Sequence, residues 1–336
     1  MATQLLGIGG QSPELKLTKF DKRLLMRFRA ETVFNQFGQK ATVGRHQGKA
    51  ISFRRNEIIY AAGNAGSLAN ASAPGALTEG TFPAAIDSTW SEVQATLSQY
   101  GQVILVSDLT EDQSLDDVAG EYTENLSEAM NDALDLLTRD ILVAGTNRQY
   151  ASIALTRGGA SGVGSGMYLN LAELREAKRA FKRNNVPPPE GYGGNYPVIM
   201  HPDAMYDLEG DSNITNIFQY SNNDTRNSEL FKTSFKDLPL GFRCFETTNA
   251  RIFASLGLSG ANVYQTHMLG KQGFGVISYE SQPARIIKKA RGSGGATGDP
   301  LDQVASIGWK ASHTAVILAQ ANNLVIEHAT SSSNAA

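Results

Sequence analysis

The chain has one cysteine, Cys244, so no internal disulfide can form and paired-thiol metal or redox motifs are excluded. A lone cysteine of this kind reads as a small buried hydrophobe. No apolar run approaches the roughly 18 residues that a spanning helix needs. The start, "MATQLLGIGGQSPELKL", lacks a charged region followed by an apolar core, so no signal peptide is expected. The five histidines (His46, His201, His267, His313 and His328) are scattered and form no H-E-x-x-H, which argues against a zinc site. No G-x-S-x-G occurs, so Ser161 and Ser165 are not on a nucleophile elbow. "GGASGVGSG" and "RGSGGATG" lack the Lys-Ser/Thr of a P-loop and the strand–turn–helix setting of a dinucleotide site, and they read as flexible links. Asp203 and Asp207, the carboxylates that could work with His201, lie on one short predicted helix whose start explains Asp203. No catalytic residues, cofactor motif or metal ligands emerge, and no enzyme is expected.

What is present is a folded composition, 336 residues with 41% hydrophobic and 19% charged, whose net charge of -3 hides strong segregation. Residues 1–60 hold eleven Lys or Arg against four acids, whereas residues 61–145 hold fourteen acids against Arg139 alone. No lysine occurs between Lys49 and Lys178. Such asymmetry is evidence about association, or describes two differently solvated faces of one monomer. The basic "KKARGSGG" has no interleaved aromatics, so nucleic-acid recognition through it is weakly supported.

Along the chain, residues 1–17 form a loose arm. "TKFDKRLLMRFRAETVFNQFG" has helical spacing of Phe20, Leu24, Leu25, Phe28 and Val33, capped by Thr18 and stopped by Gly38. "KAISFRRNEI" and "SEVQATL" read as strands, the second with Val93, Ala95 and Leu97 on one face, and "QVILVSD" as a better buried continuation. Between them, "AAGNAGSLANASAPGALTEGTFPAA" carries Glu79 as its sole charge. It is far longer than the usual connection of about four to six residues. It reads as the distal part of a very long hairpin.

"SLDDVAGEYTENLSEAMNDALDLLTRDILVAGT" predicts a long helix, capped through Ser114 and Asp117 and ended at Gly145. Its apolar stripe is Leu115, Val118, Tyr122, Leu126, Ala129, Ala133, Leu137 and Ile141. The opposite face carries Asp116, Asp117, Glu121, Glu124, Glu128, Asp132 and Asp135. Like charges at i,i+4 weaken an isolated helix, so a positive neighbour would help it. An α/β region follows, with helices at "LNLAELREAKRAFKRNN" and "PDAMYDL" and a buried strand at "YPVIMH". Residues 211–240 read as a polar loop, "NVYQTHM", "GFGVISY" and "ARIIKK" as strands, and "VASIGWKASHTAVIL" with "NNLVIEH" as a strand pair.

The order of these parts, with "TKFDKRLL", "FNQFGQK", "GKAISFRR", "ALTEGTFP", "LTRDILVAGT", "IMHPDAMYDL" and "DPLDQVASIGWKASHTAVIL", resembles the major capsid proteins of tailed bacteriophages. Those segments are similar to the branch typified by coliphage N-four, and the resemblance runs from about Thr18 to Ile326. It implies an α+β fold of the Hong Kong ninety-seven-like type. Its expected divisions are an N-terminal arm (1–48), an extended loop with flanking strands (49–100), a peripheral domain with a spine helix (101–145), an axial domain (146–285), a return to the peripheral domain (286–330) and a tail (331–336). The implied function is self-assembly into hexamers and pentamers of an icosahedral shell, built in the bacterial cytoplasm, that encloses double-stranded DNA without sequence-specific binding. A separate scaffolding protein, a portal and a decoration protein are implied partners; no membrane, cofactor or metal is. Lys22, Arg23, Arg27 and Arg29 are expected to meet acidic surface on an adjacent subunit, including Asp116, Asp117, Glu121, Glu124 and Glu128, with Glu79 a further intersubunit candidate. Some relatives weld their shells through a lysine in the extended loop, and this loop has none. An encapsulin-like compartment and a soluble α/β enzyme stay open as alternatives.

Overall fold

A computed structural model describes residues 32–56, 76, 79–82, 90–114, 117–214, 237–238, 241–280, 283–291, 301 and 303–331. Residues 1–31 of the expected arm with its four basic residues, Asp116, most of the bland excursion, most of the 211–240 loop and "GSGGATGDP" lie outside them. The elements in chain order are β1 (Gln39–Val43), β2 (Ala50–Asn56), β3 (Trp90–Thr96), β4 (Ser98–Ser107), α1 (Asp108–Gln113), α2 (Val118–Val143), β5 (Arg148–Tyr150), α3 (Leu171–Arg183), β6 (Tyr196–Met200), α4 (Pro202–Glu209), β7 (Asp237–Leu238), β8 (Phe242–Glu246), β9 (Ile252–Phe253), β10 (Val263–Leu269), β11 (Phe274–Tyr279), β12 (Arg285–Lys289), β13 (Val304–Ile317) and β14 (Asn323–His328).

The long strand β13 organises a five-stranded sheet. β4 runs antiparallel along one edge of it, from Val304 opposite Ser107 to His313 opposite Ser98. β12 and β11 share the other edge, and β1 adds to β11 in parallel. The stem pair β2–β3 is a separate two-stranded sheet. α2 lies on one face of the large sheet, where Leu126, Met130, Ala133 and Leu134 meet Tyr100, Ile104, Ile286, Ile307, Trp309 and Ala311.

A second, seven-stranded sheet has the order β5-β14-β10-β6-β8-β7, with β9 also on β10. α3 and α4 cover it through Leu174, Ala177, Phe181, Ala204, Met205 and Leu208. Each of the Leu, Phe and Met side chains among them contributes about 1.5–3 kcal/mol on full burial. α3 starts as the sequence predicts: the Asn170 side chain accepts from the Glu173 N–H, and Lys182 and Arg183 occupy the last turn. Pro202 opens α4, and Cys244 is buried. The two sheets meet where Leu142, Val33, Phe34 and Phe274 pack with Ile199 and Leu269.

Several expectations need correction. The long helix begins at Val118 with Asp117 as its cap, because Ser107 caps the short α1 and Ser114 ends it. Its 26 residues, at about 1.5 Å each, make a rod of about 39 Å. Its buried side drifts away from Leu137 and the exposed Ile141 to Leu134, Thr138 and Leu142. Phe34–Gln36 form a single 3-10 turn rather than the end of an α-helix running to Gly38. β13 and β14 do not pair with each other, since the chain crosses between the sheets after Ile317. Val103 and Leu105 on β4 are 63% and 66% exposed, so "QVILVSD" alternates rather than being buried throughout.

The glycine-rich 156–166 segment is packed, not a flexible link. Leu155 N–H donates to Ser161 O, Leu258 N–H donates to Val163 O, and Val163 is buried. A Cβ on Gly158 would stand 2.3 Å from Leu256 O, so glycine is what permits that approach.

Candidate intersubunit surfaces

A buried carboxylate on α2 holds the backbone of Val33 and Asn35. Asp135, fully buried, accepts from the backbone N–H groups of Val33 at 3.2 Å and Asn35 at 3.1 Å. One turn on, Thr138 Oγ1 contacts Asn35 Oδ1 and lies 3.0 Å from His313 Nε2 on β13. Burial raises the Asp135 carboxyl above the ordinary value, while the backbone donors of Asn35, Val33 and Phe34 pull the other way. Burial holds His313 down to about 4, hence neutral near pH 7. Asp135 therefore does not belong to the acidic outer face where helical spacing placed it. It is an internal anchor, and hydrophobic periodicity cannot register a polar residue in that role.

The stem of the excursion is a register-fixed antiparallel pair, from Ala50 opposite Thr96 to Asn56 opposite Trp90. So the strands flanking residues 57–89 pair directly with one another, as the hairpin reading requires. Ile51, Phe53, Ala95 and Leu97 pack against Val43 and Ile277. The Tyr279 hydroxyl donates to Gly48 O at 2.9 Å. Ser52 also donates to the Glu92 carboxylate. Within the excursion, Glu79 is exposed, Gly80 has φ of 82°, and Phe82 is fully exposed. The left-handed conformation at Gly80 is one that L side chains disfavour.

The predicted acidic residues fall on two elements. Asp117, Glu121, Glu124 and Glu128 follow one another along α2, with Asp117 accepting from Gly120 N–H at 3.0 Å. Glu124 is exposed, whereas Glu121 and Glu128 are half-buried. Glu79 sits on the excursion instead.

The seven-stranded sheet hides a charge network that the sequence did not announce. Glu327, fully buried on β14, accepts from Arg148 Nη1 at 3.0 Å, Arg157 Nε at 2.9 Å and Gln265 Nε2 at 2.8 Å. His201 acts as the cap of α4, its Nδ1 accepting from Asp203 N–H at 3.2 Å. Burial lowers its pKa, partly offset by Asp203. Asp207 is engaged elsewhere, accepting from Ser331 N–H at 3.0 Å. Among the described residues no cluster of three or more His, Cys, Asp or Glu is placed to hold a metal ion. None of their helices is long and apolar enough to cross a membrane.

Sequence reasoning missed Asp135, Thr138 and His313. Continuing the stripe at i+4 from Leu126 through Met130 and Leu134 to Thr138 and Leu142, with polar residues admitted, would have found the true face.

The family of phage capsid proteins matches residues 90–323. No curated protein matches. Among solved structures, the capsid of cyanophage P-SCSP1u aligns with TM-score 0.67 at 14% identity over 95% of this chain and 94% of that one. The cyanophage Pam1 capsid gives 0.69 at 12% identity over 96% and 98%. The capsid of Ralstonia phage GP4 gives 0.67 at 11% identity over 98% of each. At these identities the alignments establish a shared fold, the α+β Hong Kong ninety-seven-like one.

Proposed function

Because this chain belongs to the phage capsid protein family and is a major capsid shell protein, we propose that its copies form the hexamers and pentamers of an icosahedral head around double-stranded DNA. The observation that carries this reading is the stem β2–β3. Its strands are locked in register, yet the excursion they launch carries a bare Phe82 and a bare Glu79. Such a hairpin finds its partners on a neighbouring copy.

In this reading residues 101–145 and 286–330, with α2 and β13, form the peripheral domain, and residues 146–285, with α3, α4, β6 and β10, form the axial one. Lys22, Arg23, Arg27 and Arg29 meet acidic surface on an adjacent subunit, including Asp116, Asp117, Glu121, Glu124 and Glu128. Single exposed pairs contribute about 0–1 kcal/mol, and repetition over the shell makes them count while letting misplaced subunits leave. The acidic surface also avoids gripping packaged phosphates. Assembly takes place in the host cytoplasm on a separate scaffolding protein, and the finished head carries a portal and a decoration protein.

Electron microscopy of particles purified with the full chain tests this. Closed heads with nuclease-protected double-stranded DNA are expected, and a chain that stays monomeric or encloses protein cargo instead would defeat it. Reversing the four arm charges is expected to block assembly at moderate salt, and normal particles from that variant would remove the arm from the account.

A further inference from the structure

A strand at an open sheet edge presents a row of backbone N–H and C=O groups that another strand can pair with, so folded chains blunt such edges with charge or keep them short. Most sheet edges among the described residues follow that rule. β5 and β7 have three and two residues. β1 carries the exposed Lys40, and β12 carries Arg285, Lys288 and Lys289, all exposed. β4 does not follow it. It is ten residues long, contains no Asp, Glu, Lys or Arg, and pairs only with β13, so its other side is open among the described residues.

Alternation fixes which groups face outward. Asp108 N–H, one step beyond the β4–β13 register, donates to Gln303 O at 2.9 Å. Even-numbered residues of β4 therefore turn their backbone groups to β13, and Gly101, Val103 and Leu105 turn theirs away from it. Tyr100 and Ile104 pack with α2, so the mostly exposed side chains of Val103 and Leu105 stand on the opposite sheet face. We propose that β4 pairs antiparallel with β4 of a second copy across a two-fold axis at Val103, joining two five-stranded sheets into one. Val103 then faces its own equivalent, and Leu105 of each copy faces Gly101 of the other, a large side chain against a glycine. The absence of charge on β4 lets the strand meet itself without repulsion, and an isologous contact requires such self-complementarity. The main-chain bonds supply the attraction, as in other strand additions. Because the axis stands perpendicular to the joined sheet, both α2 helices stay on one face and the bare apolar side chains of the two copies close together on the other. This contact goes beyond the shell reading and does not depend on it.

The test is disulfide formation in the full chain. Val103→Cys places two thiols at the axis, on Cα atoms about 5.5 Å apart in a hydrogen-bonded antiparallel pair, within the roughly 4.4–6.8 Å that a disulfide spans. Leu105→Cys is similarly exposed, but its two thiols stand roughly 14 Å apart along the strands. Cys244 is buried, so background coupling is low. Mild oxidation with copper phenanthroline is expected to couple Val103→Cys into dimers and to leave Leu105→Cys monomeric on a denaturing gel. Dimers from neither variant, dimers from both alike, or capture of a different protein by the Val103→Cys thiol overturn the pairing, and closed heads formed all the same leave the shell reading intact. As a check on the unaltered chain, hydrogen exchange at the amides of Gly101, Val103 and Leu105 is expected to be slower by about tenfold or more in associated than in dissociated subunits. Equal rates in the two states overturn the proposal.

Discussion

Every residue of β6, β10 and β14 in the seven-stranded sheet is buried, with α3 and α4 on one face and the end of α2 beneath the other. The five-stranded sheet is covered by α2 on one face, while its other face shows Val103 and Leu105 to solvent. Among the described residues the central strands of the first sheet are fully buried, whereas the second shows apolar side chains on one face. That contrast separates residues whose loss should unfold the subunit from residues whose loss should spare the subunit and spoil the shell.

The largest effect is expected at Glu327. Glu327→Ala leaves Arg148 and Arg157 facing each other without their shared carboxylate, and removing one side of such a buried pair costs about 3–5 kcal/mol. Denaturant titration of the unassembled subunit should register it, and a loss below about 1 kcal/mol would mean the seven-stranded sheet does not depend on this network. Asp135→Ala should cost less, about 1–3 kcal/mol, because two backbone donors lose their acceptor but no charged partner is left unpaired. Proteolysis should then open the chain near residues 32–37 before it opens either sheet.

Acid sharpens the contrast. Burial lowers His267 to about 3 and His313 and His328 to about 4, against an ordinary 6.5. On unfolding, each would take up a proton below pH 6.5 that the folded form refuses until about pH 4 or 3. Their contribution is therefore full above pH 6.5 and is lost as pH falls, at up to about 1.4 kcal/mol per histidine per pH unit. Asp135 acts in the opposite sense: its raised pKa means that the cost of burying its charge is relieved at low pH. Since His267 and His328 lie in the seven-stranded sheet, amide protection, taken relative to the intrinsic exchange rate at each pH, should fall there between about pH 6.5 and 4 more than in β11 and β13. The smallest effect on the subunit is expected from Leu105→Ser on the bare face. Its unfolding free energy should hold to within about 0.5 kcal/mol, while light scattering shows poorer assembly.

Much of this was legible beforehand where apolar spacing and punctuation agree, as in α3, with Asn170 before it, and in β6 ahead of Pro202. It was illegible where polar residues hold the structure together. Asp135 and Thr138 broke the stripe of α2 because their partners, Asn35 and His313, are far away along the chain. β1 escaped notice because only Val43 of its five residues is buried. The packed 156–166 segment looked loose because its glycines serve close backbone contact, which composition alone cannot distinguish from slack. Of the proposed contact residues, Glu121, Glu124 and Glu128 lie on α2 with Asp117 as its cap, as spacing implied, whereas the sheet beneath that helix comes from the pairing of three strands distant in sequence.

The stem between Asn56 and Trp90 has one further consequence. With both ends pinned, the closure entropy of the span 57–89 grows by only about 0.6 kcal/mol for each doubling of its length. Evolution could therefore lengthen or shorten it with little penalty to the lone molecule, and variants differing in reach could be sampled by a folding-competent chain before curvature or head diameter passed judgement on them.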